Sequence, residues 1–551
     1  MSHELSADIV VIGSGICGSL VAERLARTGA SVLILEAGPR VTRNQLVLYY
    51  RNAPRKGDWM APYPPSRWAP HPTYEADWGS ATDQDKPNVA RQGSNEKGNG
   101  YLVQAGPTPY PAEYIRVVGG TTWHWAAHMW RLLPNDFRIK TLYGVGKDWP
   151  VTYDELDPYY QEGEERTGVS GAPNTGSPRT KPFPMEPVAE PWAMRRFRER
   201  LEPGGYPVVA NTTARNSRAY DGRPPCCGAN NCQPICPVDA QYHGGLAAAS
   251  AEAAGARLLA NAVVYRIEHD PAGRIAAVHY FDPDRTSHRV TGKSFVLAAN
   301  GIESPKLLLM SVSDKYPTGI ANGSGMVGRN LMDHPSSSLT FDAEDELWLG
   351  RGPQSPASIN TFRDGPFRSE YAAFRLDFTN ISQVRSAAED LITAGVYGPE
   401  FEKQLRYRAA HQCNVKNVPE VLPHPDNRVV LSDQKDELGL PKPQVHFALG
   451  DYLHRCMEVA KREYTRIAEL MGGTNLRFTP EREYANNQHI MGTVSMGDDP
   501  KDSVVDGFGR AHDHENLFIA GTGIMPTGAT VNPTLTALAL AFRTADQIAK
   551  T

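Results

Sequence analysis

"ADIVVIGSGICG", residues 7 to 18, decides the fold. "ADIVVI" reads as a fully buried parallel strand, its last four residues an apolar run. "GSGICG" follows at once and places Gly13, Gly15 and Gly18 in dinucleotide spacing. Gly13 permits the tight turn, Gly15 removes a side chain that would hold a pyrophosphate away, and Gly18 lets the next helix lie against the sheet. That helix, "SLVAERLARTG" (19 to 29), aims its positive end at the phosphates. A second strand, "SVLILEAG" (31 to 38), carries Glu36, eighteen residues past Gly18, where a carboxylate can accept hydrogen bonds from an adenosine ribose. The acid disfavours a 2′-phosphate, so NADP is not expected. Strand, glycines, helix, second strand and acid within one 30-residue unit make a far stronger signal than a lone glycine triplet.

The chain has 551 residues, enough for two connected domains, since single cores stop growing near roughly 250 to 300 residues. Lys plus Arg number 57 against 62 Asp plus Glu, with no basic run that would follow a phosphate backbone, which argues against nucleic acid as a partner. No apolar stretch approaches the roughly 20 residues that span a bilayer. The longest, near "LTALALAF" (535 to 542), has the length of a core helix, so membrane contact is expected only through a partner subunit. The N-terminal segment has no basic n-region, and no secretion signal is read there.

Seven cysteines are too few, and odd in number, for a disulfide framework. Cys17, Cys413 and Cys456 are scattered and read as small buried hydrophobes. The other four stand together in "PPCCGANNCQPICP" (224 to 237). Zinc hooks want C-x2-C pairs, which this segment lacks. Adjacent cysteines point to opposite sides of an extended backbone, so Cys226 and Cys227 do not easily share one centre. The closing C-x3-C-P, Cys232 to Pro237, echoes the end of ferredoxin ligand runs. A three-thiolate site from Cys226, Cys232 and Cys236 suits a [3Fe-4S] cluster, with Cys227 as a fourth ligand or as a free thiol able to bridge to a partner.

Further segments carry a family resemblance. "VVGGTTWHW" (117 to 125), "DWPVTYDELDPYY" (148 to 160), "FVLAANGIESPKLLL" (295 to 309), "VGRNLMDHP" (327 to 335) and "NLFIAGTGIMPTGATVNPTLTALALA" (516 to 541) resemble, in order, the signatures of the glucose/methanol/choline (GMC) flavoprotein oxidoreductases. Within that family the chain is most similar to the catalytic subunit of bacterial FAD-dependent fructose and glucose dehydrogenases, which work with a cytochrome c subunit and carry an iron-sulfur cluster at the cysteine motif. The resemblance implies FAD as cofactor, with Gly119, Gly120, Thr121, Thr122, Asn300, Gly301, Gly521, Asn532 and Pro533 near it. A C-terminal helix starting at Pro533 would turn its positive end to the flavin. His124 stands where some relatives link flavin covalently; hydrogen bonding beside the ring is the other reading.

The same resemblance makes His489 in "YANNQHIMG" the base that removes a hydroxyl proton, and Asn532 the residue that hydrogen-bonds the substrate oxygen. Asn532 before Pro533 is also a good helix N-cap, so two readings compete there. His128, His334, His512 and His514 are read as structural.

The expected architecture is α/β. A Rossmann-like FAD-binding domain is assembled from residues 1–45, 105–140, 205–335 and 505–551. A discontinuous α+β substrate domain on an antiparallel sheet comes from 141–204 and 336–504, and 75–100 forms a polar surface insertion. The expected function is a sugar or polyol dehydrogenase passing electrons through the cluster to a cytochrome c. With no signal of its own read, the chain is expected in the periplasm, membrane-associated through partner subunits and exported with a small chaperone-like subunit that carries a twin-arginine signal, and in the cytoplasm if no partner exists. Glucoside 3-dehydrogenase is the nearest alternative; an oxygen-using oxidase and a non-catalytic electron-transfer subunit are the rivals from further away. No motif between 340 and 480 names the substrate.

Overall fold

The computed structural model describes residues 5–53, 62–64, 66, 68–72 and 100–551. The insertion expected at 75–100 lies, apart from Gly100, outside the described residues.

The strand Leu5–Ile12 pairs in parallel with Val32–Leu35 on one side and with Ser287–Leu297 on the other. It is therefore a central strand, which is why its buried half, Ile9–Ile12, is wholly apolar. The full sheet has seven strands in the order 257–259, 32–35, 5–12, 287–297, 275–281, 263–269, and Leu517–Ile519 pairs in parallel with Ser287–Leu297. "NLFIAG" thus returns the C-terminus to the first sheet. The helix Ile16–Ala26 packs on Gly244–Ala253 and Thr534–Ile548. Its close approach depends on Gly18, where a Cβ would sit 2.2 Å from the carbonyl oxygen of Gly13.

A second, antiparallel sheet has six strands in the order 474–478, 338–342, 412–419, 374–379, 357–359, 208–210. The amphipathic helix Asp451–Leu470 covers it, burying Leu453, Cys456, Ala460, Tyr464 and Ile467 at helical spacing. Buried side chains run without a break from Val10, Leu35 and Phe295 of the first sheet to Leu376, Phe378 and Ile467 of the second. The two halves share one core.

Three segments cross the expected boundaries. Val208–Ala210 supplies the edge strand of the antiparallel sheet, with Val208 and Val209 buried. The helix Tyr153–Thr167 packs on Thr534–Ile548, with Gly163 against Leu535. Arg428–Lys435 and Pro441–His446 form a small sheet with Val103–Gln104 that lies on the helix Asn300–Met310. In each case an apolar face is covered by the nearest matching surface in space, whatever its chain order.

Candidate active site

One cavity of about 780 Å³ joins the glycine loop after the first strand to the C-terminal residues. Gly13 has φ of 102°, and a Cβ there would meet Ala298 backbone at 2.6 Å. At Gly15 a Cβ would find nothing within 4 Å, so the glycine leaves open space on the cavity side. Glu36 is buried; its carboxylate accepts from Ser14 N (2.9 Å), Ser14 Oγ (2.6 Å) and Gly38 N (2.9 Å). Burial pushes its pKa up against the pull of those hydrogen bonds.

The GGTT loop meets this cradle. Gly119 N donates to Ser14 Oγ at 3.1 Å, and a Cβ on Gly120 would lie 3.2 Å from Gly15 Cα. The two hydroxyls brace the loop: Thr121 Oγ1 accepts from Ile115 N (3.1 Å) and Thr122 Oγ1 from Gly244 N (2.8 Å). Asn300, at φ of 65°, caps its own helix by accepting from Ile302 N and Glu303 N. Gly301 does not line the cavity; a Cβ there would press on Ile490 at 2.8 Å. Gly521 has φ of 123° with open space beside it. The helix Thr534–Ile548 presents its first turn to the cavity, and Pro533 is its N-cap. The open glycines, the ribose-type carboxylate and the helix end fit FAD.

His124 lines the cavity, buried, edge-on to Tyr63 with ring centroids 5.6 Å apart. Burial lowers its pKa to about 3, and its Nδ1 has no hydrogen-bond partner.

His489 and Asn532 come together from positions 43 residues apart: Asn532 Nδ2 lies 2.8 Å from His489 Nε2. The surrounding bonds define the proton positions. His334 Nε2 faces two carbonyl oxygens, Gly528 O at 3.1 Å and Ala529 O at 3.0 Å, and must carry a proton. Burial holds His334 neutral, at a pKa of about 4, so its Nδ1 is an acceptor. His489 Nδ1, 2.7 Å away, therefore donates to it, and His489 Nε2 keeps its lone pair. Arg375 Nη2 donates to Asn532 Oδ1 at 3.2 Å, which turns the amide NH2 toward that lone pair. Asp333 Oδ1 accepts from the backbone N–H groups of both His334 (2.6 Å) and His489 (3.0 Å) and ties the pair together. Burial first, then His334, Lys416 and Arg375, hold the His489 pKa well below the ordinary histidine value. Asn532 makes no side-chain cap to the helix, whose N-cap is Pro533.

Five residues given no catalytic or binding role from the sequence belong here. His334, read as structural, backs His489. His128, also read as structural, lines the cavity with an unpartnered Nδ1. Arg375, Asp377 and Lys416 stand on neighbouring strands of the antiparallel sheet. A signal for them existed: "FRLDFT" (374 to 379) alternates apolar and polar residues, yet five of the six are buried. A polar face that never reaches bulk solvent marks a cavity wall. His512 and His514 lie elsewhere: His512 pairs with Ser503, and His514 Nδ1 bonds Gly273 O.

The cysteines are not drawn into a metal-ion site: among the described residues no group of three or more His, Cys, Asp or Glu could hold a metal ion. All seven are free; Cys232 is buried, Cys226 and Cys236 are half-buried and Cys227 is exposed. Burial raises the Cys226 pKa, and Cys232 and Cys236 raise it further. The loop is wired to the cavity, because Gln233 Nε2 donates to the carbonyl of His124 at 2.8 Å.

The chain is similar to known proteins along its length. Residues 11–76 match an NAD(P)-binding Rossmann-like domain, and residues 192–336 and 423–541 each match GMC oxidoreductase. The chain is 46% identical to fructose dehydrogenase large subunit of Gluconobacter japonicus over 100% of this chain and 99% of that one. It is 30% identical to 2-methyl-1,2-propanediol dehydrogenase of Mycolicibacterium austroafricanum over 98% and 95%. Its fold is similar to that of pyridoxine 4-oxidase from Mesorbium loti, with a TM-score of 0.65 at 20% identity over 99% of each chain.

Proposed function

The chain belongs to the GMC oxidoreductase family and is an FAD-dependent enzyme acting on CH–OH groups, and from that premise we propose that it oxidises a hydroxyl of a hexose or polyol and forwards the electrons to a protein acceptor. The observation that carries the reading is the unprotonated His489 Nε2, which faces the Asn532 amide at 2.8 Å in the cavity that the dinucleotide glycines open into. A hydroxyl that replaces this contact donates its proton to Nε2 and accepts from Asn532 Nδ2. As the oxygen gains negative charge, that amide bond strengthens, so it stabilises the transition state more than the ground state. His334 keeps Nδ1 of His489 protonated throughout. FAD, when bound, supplies the acceptor for the carbon-bound hydride.

Cys226, Cys232 and Cys236 are the residues that would hold a [3Fe-4S] cluster, which supplies single-electron transfer. Their closeness in the chain, the burial of Cys232 and half-burial of Cys226 and Cys236, and the hydrogen bond from Gln233 to the cavity-lining His124 support this. The similarity to a large subunit supports partner subunits. In this reading they are a cytochrome c and a small chaperone-like subunit that carries the export signal, and the enzyme works in the periplasm. Among the described residues no helix is long and apolar enough to cross a membrane; in this reading membrane association comes through a partner subunit.

Anaerobic titration with a panel of hexoses and polyols tests the reading: flavin absorbance at its visible maximum bleaches with at least one of them. Acid-labile sulfide and electron paramagnetic resonance test the cluster. Substitution of Cys226, Cys232 or Cys236 by Ser abolishes both signals, whereas Cys227→Ser keeps them. Peroxide formed in step with turnover would instead make the enzyme an oxidase.

A further inference from the structure

The part of the cavity wall formed by the antiparallel sheet carries charge that the protein leaves unfilled. Asp377 and Lys416 are direct partners across the paired strands Phe374–Thr379 and Gln412–Pro419, and both line the cavity. Each oxygen of Asp377 accepts one hydrogen bond from Arg375, through Nε and Nη2 at 2.9 Å each. A carboxylate has about four lone-pair sites, so each oxygen retains capacity. Burial raises the Asp377 pKa, but Arg375 outweighs it and the group stays ionised. Lys416 Nζ donates to Asn487 Oδ1 at 2.9 Å, and among the described residues no carboxylate lies within ion-pair distance of it. Two of its three N–H donors are left over, and burial lowers its pKa. His128, 5% exposed, adds the unpartnered Nδ1 described above.

Unfilled buried donors and acceptors are costly, and an apolar ligand would leave them so. A hydroxyl both donates and accepts. We propose that Lys416 and Asp377 are the specificity-determining residues of this site: they bind two neighbouring hydroxyls of a carbohydrate, on carbons away from the one that reacts, Lys416 by donating and Asp377 by accepting. The inference rests on the function proposed above and names the part of the substrate that the wall reads. Wall and base are registered to each other by Asn487, whose Oδ1 takes Lys416 and whose Nδ2 donates to the His334 carbonyl at 2.5 Å. A substrate gripped by the wall therefore has a defined position relative to His489. Monohydric alcohols lack the second contact and bind without register.

The test uses the full-length, FAD-loaded protein. For a hexose that the wild type oxidises, and for its single-position deoxy analogues, kcat and KM are measured above the pH where His489 protonates. Dissociation constants come from the perturbation of the flavin spectrum by a non-reacting polyol. In the wild type, one or two deoxy analogues lose roughly 10- to 100-fold in kcat/KM, the size of a hydrogen bond to a charged group. In Lys416→Gln and Asp377→Asn the parent sugar shows a KM and a dissociation constant raised by a similar factor, with kcat changed much less. The penalty for the matching deoxy analogue disappears, as expected when both partners of one contact are removed. Unaltered discrimination among the deoxy analogues in both variants, with FAD content and unfolding temperature intact, would falsify the wall while leaving the dehydrogenase reading in place. A wild type whose flavin is reduced by no hexose or polyol overturns both.

Discussion

His334 Nδ1 lies 2.7 Å from His489 Nδ1, with the ring planes at 76°. Two neutral imidazoles can share that contact only if one nitrogen is bare, and the carbonyls of Gly528 and Ala529 make it His334 Nδ1. The consequence is a base whose reactive nitrogen is chosen by its neighbour.

Removing the base should cost the proton-transfer contribution. His489→Ala is expected to lower the rate of flavin reduction by about 10² to 10⁴, with FAD still bound. Stopped-flow absorbance reads the rate, and an unchanged rate rejects the assignment.

His334 acts through His489, so the shape of its replacement matters. His334→Gln can still offer an acceptor to His489 Nδ1 and a donor to the two carbonyls, and should keep kcat within about tenfold of wild type. His334→Leu leaves His489 free to adopt the wrong tautomer, and kcat should fall about tenfold further or more. Equal losses in the two variants would mean a packing role only.

Asn532→Ala separates the two readings of that residue. Pro533, not Asn532, is the N-cap, so helix stability should change little, while kcat falls by about 10 to 10³ as the substrate oxygen loses its donor. Circular dichroism on heating and steady-state kinetics report the two effects independently.

The pH profile follows from the charges around the base. Burial, His334, Lys416 and Arg375 all disfavour the protonated imidazole, so kcat/KM should stay level from pH 8 to about pH 6 and fall only below the ordinary histidine range. Lys416→Gln removes a nearby cation, the imidazolium becomes less costly, and the acid limb should move to higher pH. Movement to lower pH would contradict this electrostatic account.

Two glycines of one loop should fail differently. Gly15→Ala adds a methyl into open space at φ of −59°, so the fold should survive while FAD affinity drops. Gly18→Ala drives a Cβ to 2.2 Å from the Gly13 carbonyl and should destabilise the whole sheet–helix unit. Thermal unfolding of the apoprotein distinguishes them.

How much of this was readable in the chain depends on distance along it. Gly13, Gly15, Gly18 and Glu36 act within one strand–helix–strand unit, where local conformation and sequence spacing carry the same information. The boundaries near 208, 153 and 428 were not readable, because an edge strand, an apolar helix face and a short hairpin can each be covered by several surfaces. Asn532 beside Pro533 satisfied two local rules equally well, and only the position of His489 separates them.

Local spacing alone determined the dinucleotide half, since its turn, its close backbone approach and its acid depend on residues fewer than thirty positions apart. Tertiary structure alone decided the chemical half. His334 and His489 are 155 residues apart, Arg375 and Asn532 are 157 apart, and Lys416 faces Asp377 across a strand pair. Which nitrogen is basic and which wall is charged follow from contacts that no spacing in the chain encodes.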